Sequence, residues 1–246
     1  PIPIQKRELE CAEGNRKTYC FPNSQSNGIK QFAADHNVSV YAFFVGLYYI
    51  YLQKLTDQED LIVGMPVFNR SGKKEKNIVG MLTSTMPFRH SVDVEMTVRE
   101  FIKDINRELI RCYYHQKYPY DLLVQDLELK KKGYGDLFDA CINYYNTNLP
   151  NELGSIPAEN EEFYNGNQIY SLQLIIREWS KSGGFNLDID YKIQEYEEKQ
   201  IEQMYLSFTH LGEQMLQFPD RKLGELELLS EDVRNKLIVE FNATDT

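Results

Sequence analysis

Histidine is the side chain that proteins use most often for proton transfer and metal binding near neutral pH, so the histidines are the first candidates for chemistry. The sequence has neither a His-Glu-x-x-His segment nor a Cys-x-x-Cys pair, the patterns that commonly build zinc sites. We therefore predict no metal site built by this chain. The residues considered are His36, His90, His115, His210, Cys11, Cys20, Cys112 and Cys141.

Two carboxylates are the next candidates. Asp188 and Asp190 lie two residues apart in a predicted strand and so share one face of it. Such a pair could bind a cation or share a proton, but a solvated strand face has the same pattern, and both interpretations stay open. His115 ends a predicted helix, where the helix dipole favours imidazolium; it is either a base or a capping residue.

Sequence patterns for phosphate binding and for serine nucleophiles are missing. There is no Gly-x-x-x-x-Gly-Lys loop, no Gly-x-Gly-x-x-Gly after a strand and no Gly-x-Ser-x-Gly elbow. The 27 Lys and Arg against 37 Asp and Glu give a net charge of −10, which excludes a nucleic-acid partner. The longest apolar run, residues 40–52, is shorter than the roughly 20 residues of a membrane span. With no signal peptide at residues 1–13 and with scattered cysteines, we expect a cytoplasmic protein.

Helix and strand signals alternate along the chain. Ser39 and the capping box Thr97-x-x-Glu100 start two predicted helices. The first is apolar around most of its circumference and should therefore be buried. A third long helix ends before Pro219, and Ser230 caps a last one. Residues 146–167 are predicted to be a surface loop. Strands are predicted at residues 17–21, 61–67, 81–89 and 137–145, and at 169–179 with 185–193 as a hairpin. The fold class is therefore mixed α/β (α+β).

Four segments, taken together, resemble the motifs of nonribosomal peptide synthetase condensation domains in order and spacing. The segments are Gly64-Met65-Pro66-Val67-Phe68-Asn69-Arg70, the eleven residues from Val79 to Arg89, His115-Gln116-Lys117-Tyr118-Pro119-Tyr120-Asp121, and Leu137-Phe138-Asp139. The chain differs from the family motifs at three places: Ser84 stands where the family has Asn, Lys117 where it has Asp, and Tyr134-Gly135-Asp136 where it has Arg-Asn-Pro.

The family's catalytic His-His-x-x-x-Asp-Gly motif, which ends its N-terminal lobe, is absent. The resemblance therefore implies that residues 1–222 are the C-terminal lobe, with no catalytic residue in it. Residues 223–246 resemble the linker toward an adenylation domain. The implied fold is half of a chloramphenicol acetyltransferase-like molecule, a mixed sheet flanked by helices.

In the family, two lobes form a tunnel that receives two phosphopantetheine-borne substrates, and this lobe would provide one wall. The resemblance implies that Arg70 pairs with the upstream motif Asp, although a surface-loop Arg fits equally. It places Gly80, Met81, Thr83, Ser84 and Thr85 along the tunnel. Gly80 could instead relieve a strand bulge. For His115, Pro119 and Tyr120 the expected role is structural packing of a helix junction.

The implied activity is amide-bond formation between two carrier-bound substrates, and we expect the chain alone to be inactive. Its expected partners are the N-terminal lobe, carrier proteins and an adenylation domain, without nucleic acid or membrane. The resemblance also fits a catalytically silent docking domain for carrier proteins, or an epimerisation or cyclisation relative.

The hairpin at residues 169–193 carries apolar side chains on both faces around Ile175 and Ile176. A single covering layer would explain only one apolar face. We therefore expect this hairpin to cross from this lobe onto the other one, through the loop at residues 146–167.

Overall fold

The computed structural model describes residues 13–70, 72–146, 152–158, 162–178 and 183–230. Within them helices and strands alternate as predicted, and a 3-10 turn follows at Leu223–Glu225. The helices are α1 (Asn23–His36), α2 (Val40–Thr56), α3 (Lys73–Lys76), α4 (Val98–Tyr114), α5 (Tyr120–Asp126) and α6 (Glu198–Gln217). The strands are β1 (Gly14–Cys20), β2 (Asp60–Val67), β3 (Ser84–Ser91), β4 (Ala140–Tyr145), β5 (Glu152–Leu153), β6 (Ile156–Pro157), β7 (Leu172–Arg177) and β8 (Asn186–Lys192).

Helix α2 lies at the centre of the core. The Ser39 hydroxyl accepts a hydrogen bond from the amide of Ala42 at 3.0 Å, which confirms the predicted cap. Every residue from 42 to 53 is buried, because α2 packs against α1, α4 and α6 as well as contributing to the same core as the sheet. In the described part of the chain, no single helix is long and apolar enough to cross a membrane. Only α1 and α2 counted together reach that length, and they meet at 109°.

Helix α4 confirms the capping-box prediction. The Thr97 hydroxyl accepts from the Glu100 amide, and the Glu100 carboxylate accepts from the Thr97 amide at 3.0 Å. The apolar residues recur with the helical period on the face toward α2. That buried face consists of Val98, Phe101, Ile102, Ile105 and Leu109.

Six strands form one mixed sheet in the order β1-β8-β7-β4-β2-β3. The pairs β1/β8, β8/β7 and β2/β3 are antiparallel, whereas β7/β4 and β4/β2 are parallel. The parallel pair β2/β4 joins the two halves of the sheet through the register Gly64 opposite Cys141. The mixed sheet with helices confirms the predicted fold class.

The crossover expected for the hairpin is wrong. Strands β7 and β8 pair with each other as predicted, but β7 lies inside this chain's own sheet, between β8 and β4. Leu174 and Ile176 belong to the core, and Ile175 on the opposite face is only 4% exposed. Both faces of β7 are therefore already covered within this chain, which explains the apolar residues without a second lobe.

Several boundaries differ from the predictions. Strands β3 and β4 each begin three residues later than predicted, and the polar loop after β2 contains the short helix α3. The predicted loop at 146–167 includes the small β5/β6 hairpin in its described part. Leu223 and Leu226 pack into the core, whereas the lobe boundary at residue 222 stays a prediction. The predicted helix after Ser230 lies outside the described residues.

Asp188 and Asp190 are neither solvated nor arranged as a metal site. Both are buried on the sheet face opposite the helices, where Arg16 donates two hydrogen bonds to Asp190, at 2.6 and 2.9 Å. Arg177 and Thr18 donate to Asp188 at 2.5 and 2.7 Å. Burial raises the pKa of Asp190, an effect that the bond from Arg16 opposes. No group of three metal-binding side chains occurs among the residues with described positions.

Arg16→Leu should destabilise the protein by about 3–5 kcal/mol, because it leaves Asp190 buried without its main partner. The matched control is Lys17→Leu on the same strand. Lys17 pairs with the exposed Glu198, so its replacement should change the unfolding free energy by less than about 1 kcal/mol. Urea denaturation of both variants measures this difference. Equal losses would show that the Arg16 pair is not a stabilising contact.

Candidate functional site

A groove of about 800 Å³ opens around the ends of β2, β3, β4 and β7, where side chains from the start of α2 and the end of α4 also line it. Its walls are aromatic rings, amides and hydroxyl groups, and among the described residues no lining side chain carries a formal charge, although 26% of the chain is charged. Such a surface suits a neutral ligand with hydrogen-bonding groups. The lining residues are Ser39, Val40, Tyr41, Pro66, Val67, Phe68, Thr83, Thr85, Tyr113, Gln116, Asn143, Tyr144, Tyr145, Asn146, Tyr170 and Gln173.

Two tyrosines of the groove are held by the sheet. The Tyr41 hydroxyl donates to the carbonyl of Ile142 at 3.1 Å, and its ring stacks on Tyr144 with centroids 5.7 Å apart. The hydroxyl groups of Tyr170 and Thr85 lie 3.2 Å apart and share a hydrogen bond. Burial raises the pKa of Tyr170. The wall therefore presents neutral hydroxyl groups near pH 7.

Phe138 is the packing centre behind this wall. Its ring lies 5.7 Å from that of Tyr170 and 5.4 Å from that of Tyr120. The ring fills the space beside Gly64 on β2, where a β-carbon would come within 2.2 Å of it. The Tyr120 hydroxyl accepts from the Leu137 amide at 3.1 Å, which fixes the chain just before Phe138. Residues of four separated segments thus meet at one cluster.

Arg70 binds its own loop. Its guanidinium donates to three backbone carbonyls, those of Glu75, Ile78 and Gly80, at 2.6 to 2.7 Å. The Glu75 carboxylate in turn accepts from Lys117 at 2.5 Å, which connects this loop to the α4–α5 junction. Pairing of Arg70 with a carboxylate outside this chain stays a prediction.

The structure separates the five residues that were expected along one tunnel. Thr83 and Thr85 line the groove, whereas Ser84 alternates onto the other face of β3 and does not. Met81 is 90% exposed on the loop before β3. Gly80 has a φ of 146° and nothing within 4 Å of a β-carbon position, so its conformation, not close packing, favours glycine there.

The third motif lies at the predicted helix junction. His115 is the C-cap residue of α4 and is exposed, and Pro119 is the N-cap residue of α5. Tyr120 is the member of this group that packs inward, against Phe138. Gln116, next to His115, lines the groove.

The sequence analysis missed Tyr170, Tyr41 and Gln173. Each lies outside the recognised motif segments, and nothing in its local pattern distinguishes a groove tyrosine or amide from an ordinary strand residue. Tyr170 is connected to the motif segments by its packing against Phe138, beside Gly64 of a distant strand, and this contact is visible only in three dimensions.

Comparison with known proteins assigns the chain to a family. Residues 2–238 match the family model described as Condensation domain, and the chain therefore belongs to the condensation domain family. Bacitracin synthase 1 of Bacillus licheniformis is 24% identical over 247 residues, which cover 100% of this chain and 5% of that protein. Surfactin synthase subunit 1 of Bacillus subtilis (strain 168) is 28% identical over 217 residues, 88% of this chain and 6% of that protein.

Solved structures agree in fold. A four-domain nonribosomal peptide synthetase bound to AMP and glycine superposes with a TM-score of 0.82 at 17% identity, covering 91% of this chain and 18% of that one. The first condensation domain of the calcium-dependent antibiotic synthetase, in complex with a substrate analogue, gives 0.77 at 15% identity, covering 88% of this chain and 48% of that one. The chain thus spans about half the length of a solved condensation domain.

Gly64→Ala should destabilise the protein by about 1–3 kcal/mol, because the new methyl group overlaps the Phe138 ring. Gly135→Ala is the control, since a β-carbon there meets nothing within 4 Å. Adding Phe138→Leu to Gly64→Ala should cost less than the sum of the two single changes. Additive losses in urea denaturation would mean that the two residues do not share this space.

Arg70→Lys should loosen the loop after β2, because an ammonium group cannot replace the planar guanidinium across three carbonyls. The amides of residues 76–78, which are hydrogen-bonded within this loop, should exchange with deuterium at least several-fold faster. Arg89→Lys is the control, since Arg89 pairs with Asp60 at the surface. Unchanged exchange at 76–78 would show that Arg70 does not hold the loop.

Proposed function

We propose that this chain is the C-terminal lobe of a condensation domain that forms an amide bond between two carrier-borne substrates in nonribosomal peptide synthesis. One observation carries the proposal: in a member of this family, the uncharged groove is lined by residues of three of the four motif segments, among them Phe68, Thr85 and Gln116. A phosphopantetheine arm is a neutral chain of amides beyond its phosphate, and the wall of the groove fits such a chain.

The reaction needs little from this lobe beyond binding and orientation. The amine of one substrate attacks the thioester carbonyl of the other, so that a C–N bond forms, the C–S bond breaks and the thiol leaves with the proton that the amine gives up. Holding two tethered reactants side by side lowers the entropic part of the barrier. None of the four histidines lines the groove. The base that accepts the amine proton therefore belongs, in this proposal, to the His-His-x-x-x-Asp-Gly motif of the N-terminal lobe.

The remaining parts of the proposal follow from the family. The named relatives are peptide synthases many times longer than this chain. We propose that its partners are carrier proteins, the N-terminal lobe and an adenylation domain reached through the linker that starts at residue 223. The chloramphenicol acetyltransferase-like pairing of two lobes and a cytoplasmic location belong to the same proposal. Arg70 keeps its proposed role beside the motif Asp only if a carboxylate approaches the guanidinium edge that does not face the three carbonyls.

The chain alone should form no amide between two loaded carrier proteins, whereas the domain with its N-terminal lobe should. Mass spectrometry of the carrier-bound product measures this, with the second motif histidine of the N-terminal lobe changed to alanine as the control. Turnover by the chain alone would contradict the proposal. Binding of loaded carriers by the complete domain without any turnover would favour the silent docking domain instead.

A further inference from the structure

The hydroxyl groups of Tyr170 and Thr85 form a pair that has one hydrogen to spare. Each hydroxyl has one O–H donor, and the contact of 3.2 Å between their oxygens uses only one of the two donors, whichever group provides it. Both residues line the groove. The pair can therefore donate one further hydrogen bond to a ligand.

The surroundings define which ligand group suits this donor. Among the residues that the structure describes, the groove lining has no cation that would favour a carboxylate or phosphate and no anion that would favour an ammonium group. Burial raises the pKa of Tyr170, so its hydroxyl stays protonated near neutral pH. A neutral donor in a neutral wall fits a carbonyl oxygen.

Packing contacts from several distant segments of the chain hold Tyr170 in place. The Tyr170 ring packs against Phe138, which in turn packs against Tyr120. The Phe138 ring occupies the space that is free because Gly64 has no side chain. These three supporting residues come from β2, from α5 and from the segment before β4. A substitution at any of these three residues should therefore shift the position of the Tyr170 hydroxyl group.

We propose that the Tyr170–Thr85 pair binds a carbonyl oxygen of the acyl-pantetheine chain in the groove, and that Phe138 and Tyr120 are positioning residues for Tyr170. This inference rests on the proposed function, because that function supplies the acyl-pantetheine ligand. It assigns a binding role to Tyr170, which lies outside the four motif segments, and it gives those segments a common purpose. Neither Phe138 nor Tyr120 needs to touch the ligand.

Binding of acetyl-pantetheine to the complete protein tests the pair without any need for turnover. The double variant Tyr170→Phe/Thr85→Val, which removes both hydroxyl groups, should raise the dissociation constant about tenfold. Each single variant should raise it at least threefold, because the hydroxyl that stays loses the partner that orients it. Tyr114→Phe is the control, since Tyr114 is 82% exposed and outside the groove. A double variant that binds within twofold of the unchanged protein overturns the proposal.

A test of the positioning role must distinguish an effect on Tyr170 from a general loss of structure. Phe138→Leu should weaken acetyl-pantetheine binding in the unchanged background but not in the Tyr170→Phe/Thr85→Val background. Tyr120→Leu should follow the same rule and replaces Phe138→Leu if that variant does not fold. Equal weakening in both backgrounds would show that Phe138 shapes the groove in general and would contradict its role as a positioning residue for Tyr170.

These outcomes are distinct from a failure of the proposed function. If the complete domain binds acetyl-pantetheine through the hydroxyl pair but forms no amide, the binding role of the pair is supported and the amide-forming function is contradicted. If the double variant forms the amide with an unchanged Michaelis constant, the amide-forming function is supported and the binding role of the pair is contradicted. If acetyl-pantetheine does not bind the unchanged protein, the inference is wrong.

Discussion

The absence of a side chain at Gly64 is the constraint on which the site depends. Gly64 is the residue through which β2 pairs with β4, opposite Cys141, and so it lies where the two halves of the sheet join. The Phe138 ring occupies the space that any larger residue would fill. Because Phe138 packs against Tyr170, the space beside Gly64 also affects the position of a groove residue. Fold and site are therefore coupled at one position.

The sheet face opposite the helices divides into two chemically different regions. On β1, β8 and the end of β7, the carboxylates Asp188 and Asp190 are paired with Arg16 and Arg177. On β7, β4 and β2 the described residues of the groove lining are uncharged, and Gln173 lies between the two regions, opposite Asp190 in the register. Arginines lie at hydrogen-bonding distance from both buried carboxylates and so weaken the field of these carboxylates at the groove. A neutral ligand is thus compatible with a strongly acidic chain.

Local sequence patterns predicted most helices and strands, but they could not predict contacts between residues that are far apart in the chain. The caps at Ser39 and Thr97 and the β7/β8 hairpin follow from short-range chemistry, which the residues themselves carry. The position of β7 inside the sheet does not, because apolar residues on both faces of a strand fit an interior strand and a second lobe equally. Thr83 and Thr85, which lie in one motif segment, line the groove, and Tyr120 of another segment packs against Phe138. The motif segments could not indicate Tyr170, whose role depends on residues far away in the chain.

The most direct test of the account is a crystal structure of the complete domain with acetyl-pantetheine bound. The measured quantity is the distance from the Tyr170 and Thr85 hydroxyl oxygens to the nearest carbonyl oxygen of the ligand. The account predicts that one of the two distances is about 2.7–3.0 Å, with the Phe138 ring still packed between Tyr120 and Tyr170. A ligand chain that runs through the domain without a carbonyl oxygen within hydrogen-bonding reach of either hydroxyl would contradict it.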